Sequence, residues 1–389
     1  MKIAYLGKIQ LSDTDLSYLN SAEKLNDITY YLEVTPRFLK GPAFNIEKIY
    51  PKSGIFRAID VYPDFQKYSA LIDVDNFFVV NTCGKFWQIK AFWTNLLLLF
   101  HLIKNKYDLI HMTWPANIYE FFIYLLKKKL ILTVHDPFPH SGLDTHIVRL
   151  RRWAAFHFVK HFIILNKAQL KKFLSYYGLN NAQVSISELS CFPYMKIVAD
   201  EQPETKSKEE YILFAGKISP YKGVSYLVKA MQHVHDHHPD IKLIIAGSGK
   251  FNFDISEYQN EDFIEIRNRF IPDDELVILL KNAKFVVCPY TDATQSGVIM
   301  SAFTFSTPVL ATNVGGLPDM LNNQQFGMIV KEKDVDALAN GISHMLDDEK
   351  LLTKYRQNIS NAYTGGGEHS WKTIALKLNN VYKKIYNKQ

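Results

Sequence analysis

Residues 211–231 read YILFAGKISPYKGVSYLVKAM. The opening apolar run is of the kind that predicts a buried strand of a parallel sheet. Residues 216–223 then form a glycine-bounded turn that carries lysines, and the apolar spacing from Val224 to Met231 predicts a helix. A strand, a turn and a helix in this order are typical of α/β domains, whose ligands bind beyond the carboxyl ends of the strands.

The same alternation of strand-length and helical patterns continues along the whole chain. The predicted strands are residues 2–6, 77–80, 109–112, 130–134 and 162–165, followed by 211–215, 242–246, 263–266, 285–288, 309–311 and 328–330. Residues 199–210 contain no large apolar side chain, which predicts a solvated linker. Because single cores rarely exceed about 250 to 300 residues, we predict two doubly wound Rossmann-like domains that face a cleft.

Composition points to a reducing, cytoplasmic setting. The three cysteines, Cys83, Cys191 and Cys288, lie far apart and in none of the spacings of zinc sites or disulfide frameworks. Residues 1–6 read as a strand and not as a signal peptide. No apolar run approaches the roughly 20 residues that span a bilayer.

Two loops in the second half carry a pattern that suits phosphate binding. In the first loop, Lys217 and Lys222 precede a predicted helix, whose N-terminal N–H groups and dipole attract anions. In the second, residues 291–298 read TDATQSGV and open another helix. One such loop also fits an ordinary turn with surface lysines, but two in one domain are what a nucleotide diphosphate requires.

The order of motifs in this half resembles the donor domain of family-4 retaining glycosyltransferases, which have the GT-B fold. The motifs are GK-x4-KG (216–223), IIAGSG (244–249), RFIPDDEL (269–276), PYTDATQSGVI (289–299), PVLATNVGGLPD (308–319) and FGMIV (326–330). The resemblance is close over residues 211–346 and looser in the first 200 residues, through DLIHMTWP and ILTVHDPFPH.

The resemblance implies how the α/β chain is divided. Residues 1–198 would form an acceptor-binding domain, and residues 211–367 would bind the nucleotide-sugar donor. Residues 368–389 would form a helix that packs back on the first domain.

The resemblance also implies the donor site. The two lysines would bind the phosphates, the N–H groups of residues 296–298 would bind the diphosphate, and residues 269–271 would lie beside the base. The full predicted set is Gly216, Lys217, Lys222, Arg269, Ile271, Thr294, Gln295, Ser296, Gly297, Val298, Ser301, Gly315 and Gly316. The nucleotide sugar is then a substrate, and neither a cofactor nor a metal ion is expected.

One position departs from the family pattern. Most members carry two glutamates, and the aligned positions here are Ala293 and Ser301. The sequence resembles a subset with a Gln-Ser-Gly turn, so Thr294 and Gln295 are the predicted sugar or phosphate contacts. The missing carboxylates leave an alternative open: a catalytically silent GT-B protein that binds nucleotide sugar or membrane without transfer.

Candidate residues of the acceptor domain also follow predicted strands. His135 and Asp136 follow the strand LILTV, where a capped histidine in a turn would be the ordinary interpretation. The resemblance makes them catalytic and implies that His135 hydrogen-bonds the transferring sugar. Gly7, His111 and Trp114 are predicted on the acceptor side.

Charge is concentrated in the first half. Residues 1–196 hold 24 Lys and Arg against 15 Asp and Glu, a net charge of +9 in a chain of +6 overall. The segments 85–106 and 149–172 combine this charge with aromatic residues, which predicts contact with an anionic membrane surface at the inner face of the plasma membrane. Buried helices with solvated lysines would give the same pattern. No nucleic-acid module is recognisable, so we expect no nucleic-acid partner.

Taken with the resemblance, these features predict a metal-independent, retaining, hexosyltransferase-type glycosyltransferase. It would move a sugar from a nucleotide-diphosphate donor to a glycan or polyprenyl-linked acceptor in cell-surface polysaccharide or glycoconjugate synthesis. A sugar-nucleotide epimerase or a phosphorylase of the same fold fits the motif order less well.

Overall fold

The computed structural model describes residues 1–83, 89–116, 118–135, 137–138, 145–203, 209–258 and 261–388. The chain divides into two compact units. The first unit comprises Met1–Ser190 and Trp371–Gln389, and the second comprises Cys191–Ser370.

The first unit is built around a mixed sheet. Its strands are β1 (Lys2–Lys8), β2 (Asp27–Val34), β3 (Gly54–Arg57), β4 (Phe77–Asn81), β5 (Leu109–Met112), β6 (Leu130–Val134), β7 (His161–Ile164) and β8 (Val184–Ile186). The helices that accompany them are α1 (Ser12–Ala22), α2 (Ala58–Val61), α3 (Ile89–Lys104), α4 (His146–Phe158) and α5 (Leu170–Tyr177). The strand order is β3-β4-β2-β1-β5-β6-β7-β8. Neighbouring strands are parallel except β3, which is antiparallel to β4 at one edge.

The sequence analysis did not predict β2, β3 or β8. Strand β2 lies inside the sheet, between β1 and β4, although it reads DITYYLEV and is rich in polar atoms. Its two tyrosines are buried because their hydroxyls have partners. Tyr30 donates to Asp15 Oδ2 at 3.1 Å, and the Tyr31 and Tyr107 hydroxyls are 2.7 Å apart. Burying these polar groups is tolerated because they are hydrogen-bonded.

The second unit is built around a parallel sheet. Its strands are β9 (Tyr211–Ala215), β10 (Lys242–Ala246), β11 (Ile264–Arg267), β12 (Val286–Cys288), β13 (Val309–Thr312) and β14 (Gly327–Val330). Its helices are α6 (Tyr194–Asp200), α7 (Val224–His235), α8 (Asp273–Asn282), α9 (Gly297–Thr304), α10 (Leu317–Met320), α11 (Val335–Asp347) and α12 (Glu349–Tyr363). The strand order is β11-β10-β9-β12-β13-β14, and every neighbouring pair is parallel.

The boundary between the units lies at Ser190, before the predicted boundary at residue 198. Helix α6 extends to Asp200 and packs against α8 and α9, so it belongs to the second unit. The predicted linker, residues 199–210, therefore begins inside a helix, and its residues 204–208 lie outside the described part of the chain.

The last helix, α13 (Trp371–Tyr386), belongs to the first unit and packs against α1. Its Tyr382 is fully buried. The hydroxyl of Tyr18 donates to the Tyr382 hydroxyl at 2.8 Å, and that hydroxyl lies 2.5 Å from His111 Nδ1. Which of the two groups donates in the Tyr382–His111 hydrogen bond depends on the tautomer of the imidazole. The other ring nitrogen, Nε2, lies 2.7 Å from Thr133 Oγ1.

Removing the Tyr382 hydroxyl should therefore loosen the attachment of α13. In Tyr382→Phe the Tyr18 hydroxyl and the Nδ1 atom of His111 each lose a hydrogen bond. Each buried group that is left unsatisfied costs about 1 to 3 kcal/mol of stability. Amide hydrogen exchange of α13 and β5 should become at least tenfold faster. Tyr386→Phe is the matched control, because Tyr386 is 45% exposed on the same helix. Equal exchange rates in the two variants would show that the hydroxyl network does not hold α13.

Candidate functional site

The predicted donor residues of the second unit lie beyond the carboxyl ends of its strands, in the connecting loops and in the first turns of α9. All its strands are parallel, so the loops that follow their carboxyl ends emerge together. Backbone hydrogen bonds join these loops directly. Ile218 N donates to Ser248 O at 3.0 Å, and Thr291 N donates to Tyr221 O at 2.8 Å. The loops after β9, β10 and β12 thus form one connected surface.

Two glycines allow the loops to approach this closely. Gly223 has φ +68°, and a Cβ there would lie 1.8 Å from Pro289 O. Gly315 has φ +54°, and a Cβ there would lie 1.5 Å from Ala293 O. Any side chain would collide with backbone at either position, and the positive φ also favours glycine. The loop before α9 is therefore fixed between the loop after β9 and the loop after β13.

Lys222 is held at this surface by an aromatic ring. Its Nζ lies 3.6 Å from the centroid of the Tyr290 ring, within the range of a cation–π interaction. Burial lowers the pKa of Lys222 to about 8, and the nearby Cys288 opposes that shift. Lys217, in contrast, is exposed. The structure therefore positions one of the two predicted lysines and leaves the other in solvent.

The N-terminus of α9 supplies the second feature of an anion site. Ser296 is its N-cap residue; its N–H donates to the weak acceptor Met320 Sδ at 3.4 Å, and its hydroxyl lies 3.2 Å from the Tyr290 hydroxyl. Gly297 is exposed, and a Cβ there would have no described heavy atom within 4 Å. Helix N-termini present N–H groups without intrahelical acceptors and a positive dipole end. This helix end is therefore open to an anion.

The remaining predicted donor residues at the carboxyl ends of these strands lie beside or within α9, or at the start of α10. A Cβ on Gly216 would lie 3.3 Å from Val298 Cγ2, which joins the β9 loop to the first turn of α9. Thr294 and Gln295 are half-buried in the loop before α9. The Ser301 hydroxyl donates to Gly297 O at 3.0 Å, within the helix. Ser301 therefore uses its donor locally. Gly316 is the N-cap residue of α10.

The side chain of Arg269 is engaged by a carboxylate. Its two terminal nitrogens each lie 2.7 Å from an oxygen of Glu275, a bidentate ion pair. The Arg269 guanidinium lowers the pKa of Glu275. Between Arg269 and the half-buried Ile271, Phe270 is 70% exposed. Phe270 belongs to the segment 269–271 that was predicted to lie beside the base, although it was not listed individually among the site residues. Exposed aromatic rings stack well on bases.

The predicted residues of the first unit have different surroundings. His135 directly follows β6 and is half-buried, whereas Asp136 lies outside the described residues. His111 is buried, and both of its ring nitrogens are hydrogen-bonded in the core. Burial, with a smaller effect of His135, lowers the pKa of His111 to about 3. Each ring nitrogen of His111 thus has a partner in the core, and the placement of this residue on the acceptor side stays a prediction.

Gly7 and Trp114, the other two predicted acceptor residues, line a common cavity in the first unit. The cavity lies at the carboxyl ends of β1 and β5, and α3 forms one of its walls. It does not include His111.

Each Asp-x-Asp triplet of this chain contains an aspartate with a hydrogen-bonding role in the described structure. Asp-x-Asp triplets occur at residues 13–15, 73–75 and 334–336. Asp15 is buried against tyrosines, and Asp73 and Asp334 cap helices. Among the residues that the structure describes, no three His, Cys, Asp or Glu side chains are grouped as metal ligands. A search of the same residues finds no helix with the length and hydropathy of a membrane span.

Sequence comparisons find similarity to glycosyltransferases, most of it in the second half of the chain. Residues 196–362 match the family described as Glycosyl transferases group 1. An uncharacterized glycosyltransferase of Methanocaldococcus jannaschii is 31% identical over 186 residues, and the match spans 45% of this chain and 45% of that relative. The D-inositol 3-phosphate glycosyltransferase of Corynebacterium glutamicum is 26% identical over 323 residues, 76% of each chain. Residues 196–362 are thus similar to the glycosyltransferase group 1 family, in a match that covers less than half of the chain.

Solved structures share the fold of the whole chain. Anabaena HepE in complex with UDP and glucose has a TM-score of 0.68 at 15% identity, over 99% of this chain and 100% of its own. Sucrose-phosphate synthase from Thermosynechococcus elongatus has a TM-score of 0.66 at 16% identity, over 100% of both chains. The predicted GT-B fold, with two Rossmann-like sheets, is confirmed. The assignment to family 4 and to its Gln-Ser-Gly subset stays a prediction.

The lowered pKa of Lys222 predicts how nucleotide binding depends on pH. Below about pH 8 Lys222 already carries its ammonium charge. Above that pH the neutral Lys222 amine must take up a proton for the diphosphate to bind the charged form. The affinity for UDP, measured by calorimetry, should therefore fall by up to about tenfold per pH unit above pH 8. The phosphate itself, with a pKa near 6, is fully ionised there. Lys222→Arg keeps its charge and should remove this dependence. An equal slope in both proteins would contradict a role for Lys222 in phosphate binding.

Proposed function

We propose that this protein transfers a sugar from a nucleotide-diphosphate donor to an acceptor hydroxyl, with retention at the anomeric carbon and without a metal ion. The observation that carries the proposal is the position of Lys222 beside the open N-terminus of α9, within the segment that is similar to the glycosyltransferase group 1 family. Two structures of HepE, which shares the fold, contain UDP with glucose and UDP-glucose.

In this proposal the cationic groups of the second unit stabilise the leaving diphosphate. Charge develops on the phosphate oxygen as the bond to the anomeric carbon breaks. The Lys222 ammonium and the N–H groups of residues 296–298 would stabilise that charge, which is the task of a metal ion in other enzymes. Lys217 would add a second, more mobile cation. Phe270 would stack on the base beside Ile271.

The reaction itself exchanges one bond at the anomeric carbon for another on the same face. The acceptor oxygen forms its bond to that carbon as the bond to the diphosphate breaks. The acceptor proton moves to the leaving phosphate oxygen, so the products are a glycoside and a nucleoside diphosphate. We assign His135 and Asp136 to the catalytic site, as the resemblance implies. His135 would hydrogen-bond the transferring sugar.

We further propose that the acceptor is reached at a membrane surface on the cytoplasmic side. Helices α3 and α4 expose large apolar side chains, including Trp93 (54% exposed), Phe100 (59%) and Trp153 (58%). Neither helix contains an Asp or Glu, and Lys90 and Lys104 are exposed near the two ends of α3. Apolar residues flanked by lysines suit the interface of an anionic membrane. This surface would bring the enzyme to a glycan or polyprenyl-linked acceptor.

Two arginines of α4 contribute less to this surface than their charge suggests. Arg151 donates to Pro115 O and Arg152 donates to Pro137 O, each at 3.0 Å. Their guanidinium groups hold loops of the first unit. A test of membrane binding should therefore change the exposed lysines of α3.

Turnover in the presence of a chelator tests the proposed reaction. With UDP- and GDP-sugars offered as donors and a lipid-linked acceptor, donor consumption should be unchanged by EDTA, and NMR of the product should show the anomeric configuration of the donor. Loss of activity with EDTA that manganese or magnesium restores would contradict the metal-free site. Binding of a nucleotide sugar without turnover would favour the catalytically silent alternative.

Liposome flotation tests the membrane surface independently of the reaction. The protein should float with phosphatidylglycerol-rich vesicles at low salt, stay behind with neutral vesicles, and be partly released at about 0.5 M salt, where charges are screened. Lys90→Glu with Lys104→Glu should weaken flotation, since each lysine near anionic lipid contributes about 1 kcal/mol. The matched control, Lys229→Glu with Lys354→Glu, changes exposed lysines of the second unit. Absence of flotation by the wild type would favour a soluble acceptor.

A further inference from the structure

Tyr290 contacts both of the elements that form the candidate phosphate site. It lies two residues after β12 and is fully buried. Its ring faces Lys222, whose Nζ is 3.6 Å from the ring centroid. Its hydroxyl lies 3.2 Å from the Ser296 hydroxyl at the N-terminus of α9. A single side chain therefore joins the cation of one loop to the helix end of another.

The ring holds Lys222 without neutralising its charge. Among the residues that the structure describes, no carboxylate is paired with Lys222, and burial is the largest influence on its pKa. A carboxylate in place of the ring would also fix the ammonium, but its negative charge would repel a phosphate group. The negative face of an aromatic ring attracts a cation although the ring carries no net charge. Lys222 is thus oriented while its positive charge stays available to an anion.

The Tyr290 hydroxyl has a corresponding effect on α9. A serine at a helix N-cap usually accepts a hydrogen bond from one of the first N–H groups of the helix. The Ser296 side chain makes no such bond, and it lies against the Tyr290 hydroxyl instead. Burial is the main cause that raises the pKa of Tyr290 well above its ordinary value, so this hydroxyl stays protonated. The N–H groups at the start of α9 are therefore left free of their usual capping side chain.

The backbone around Tyr290 is fixed by neighbouring parts of the second unit. The hydroxyl of Thr312, on β13, donates to Tyr290 O at 2.5 Å. The next residue, Thr291, donates from its N–H to Tyr221 O at 2.8 Å, in the loop that carries Lys222. The position of the Tyr290 ring is therefore set by the protein before any ligand arrives, as a supporting group of a binding site requires.

We propose that Tyr290 is a positioning residue for the donor diphosphate, which holds Lys222 and the N-terminus of α9 together while leaving both free to bind phosphate. The inference rests on the proposed function, because it concerns the same phosphate site. It adds a residue that acts through Lys222 and Ser296 and not by contact with the donor. Since preorganised groups lose little further freedom on binding, Tyr290 should contribute to the affinity for the diphosphate and not for the nucleoside.

A series of rings at position 290 tests the contact with Lys222. Starting from Tyr290→Phe, phenylalanine analogues with an increasing number of ring fluorines keep the shape of the ring and weaken its negative face. The affinity for UDP, measured by calorimetry, should fall stepwise by about tenfold over the series, whereas the affinity for uridine, measured by NMR titration, should stay within about twofold. UDP affinities that are equal across the series, or that rise, would overturn the proposal, because packing alone does not depend on the charge distribution of the ring.

A double-mutant cycle tests whether Tyr290 acts through Lys222. Tyr290→Leu should lower the affinity for UDP by at least about tenfold in the wild-type background. In the Lys222→Ala background the loss should be only about threefold, since the contact with Ser296 is then the remaining one. Phe285→Leu is the matched control, because Phe285 is fully buried just before β12, at the end away from Tyr290. It should leave the UDP affinity unchanged. Equal losses from Tyr290→Leu in both backgrounds would contradict a positioning role.

This inference and the proposed function can fail separately. GDP and guanosine replace UDP and uridine if the wild type binds GDP more tightly. If the wild type binds neither nucleotide, the proposed function fails and the role of Tyr290 fails with it. If the wild type binds one of them and the ring series shows no dependence, only the role of Tyr290 is lost. The fluorinated rings occupy the space of the native ring, so the series decides the question even where Tyr290→Leu does not fold.

Discussion

Backbone hydrogen bonds continue beyond the ends of the strands in the second unit, and the candidate donor site depends on them. Gly216 N donates to Ala246 O at 3.0 Å, and Asn313 N donates to Val330 O at 2.8 Å. The first residues of these loops are therefore extensions of the sheet. Groups held on a sheet in this way keep their geometry when a charged ligand arrives, which is what phosphate binding and transition-state stabilisation require.

The second unit could be predicted almost completely from the sequence, and the first could not. Strands of a parallel sheet that are covered on both faces read as continuous apolar runs. Apart from the edge strand β11, which reads IEIR, the strands of the second unit have such a run. Strand β2 does not, because its tyrosines are buried with hydroxyls satisfied by Asp15 and Tyr107. Those partners lie elsewhere in the sequence. Strands β3 (GIFR) and β8 (VSI) also lack a continuous apolar run, because each places glycine or polar residues beside only two apolar ones.

The same distinction applies to the candidate site. The glycines and lysines of the donor loops were recognisable because their requirement is local: a turn, a close approach or a helix end. The partners of His111 were not, since Tyr382 is 271 residues away in sequence. The Lys222–Tyr290 contact and the engagement of Arg269 by Glu275 also required coordinates. Motif order predicted which loops form the candidate site, but not which of their side chains already have partners within the protein.

The position of α13 sets an order of events during synthesis. Residues 371–389 complete the first unit, yet the ribosome makes them only after the entire second unit. Until then His111 and Tyr18 lack the hydroxyl that later joins them, and the surface that α13 covers on α1 remains open to water. Domains usually fold in the order in which they emerge. Here the second unit emerges complete first, and the side of the first unit that packs against α13 is the last part of that unit to be covered.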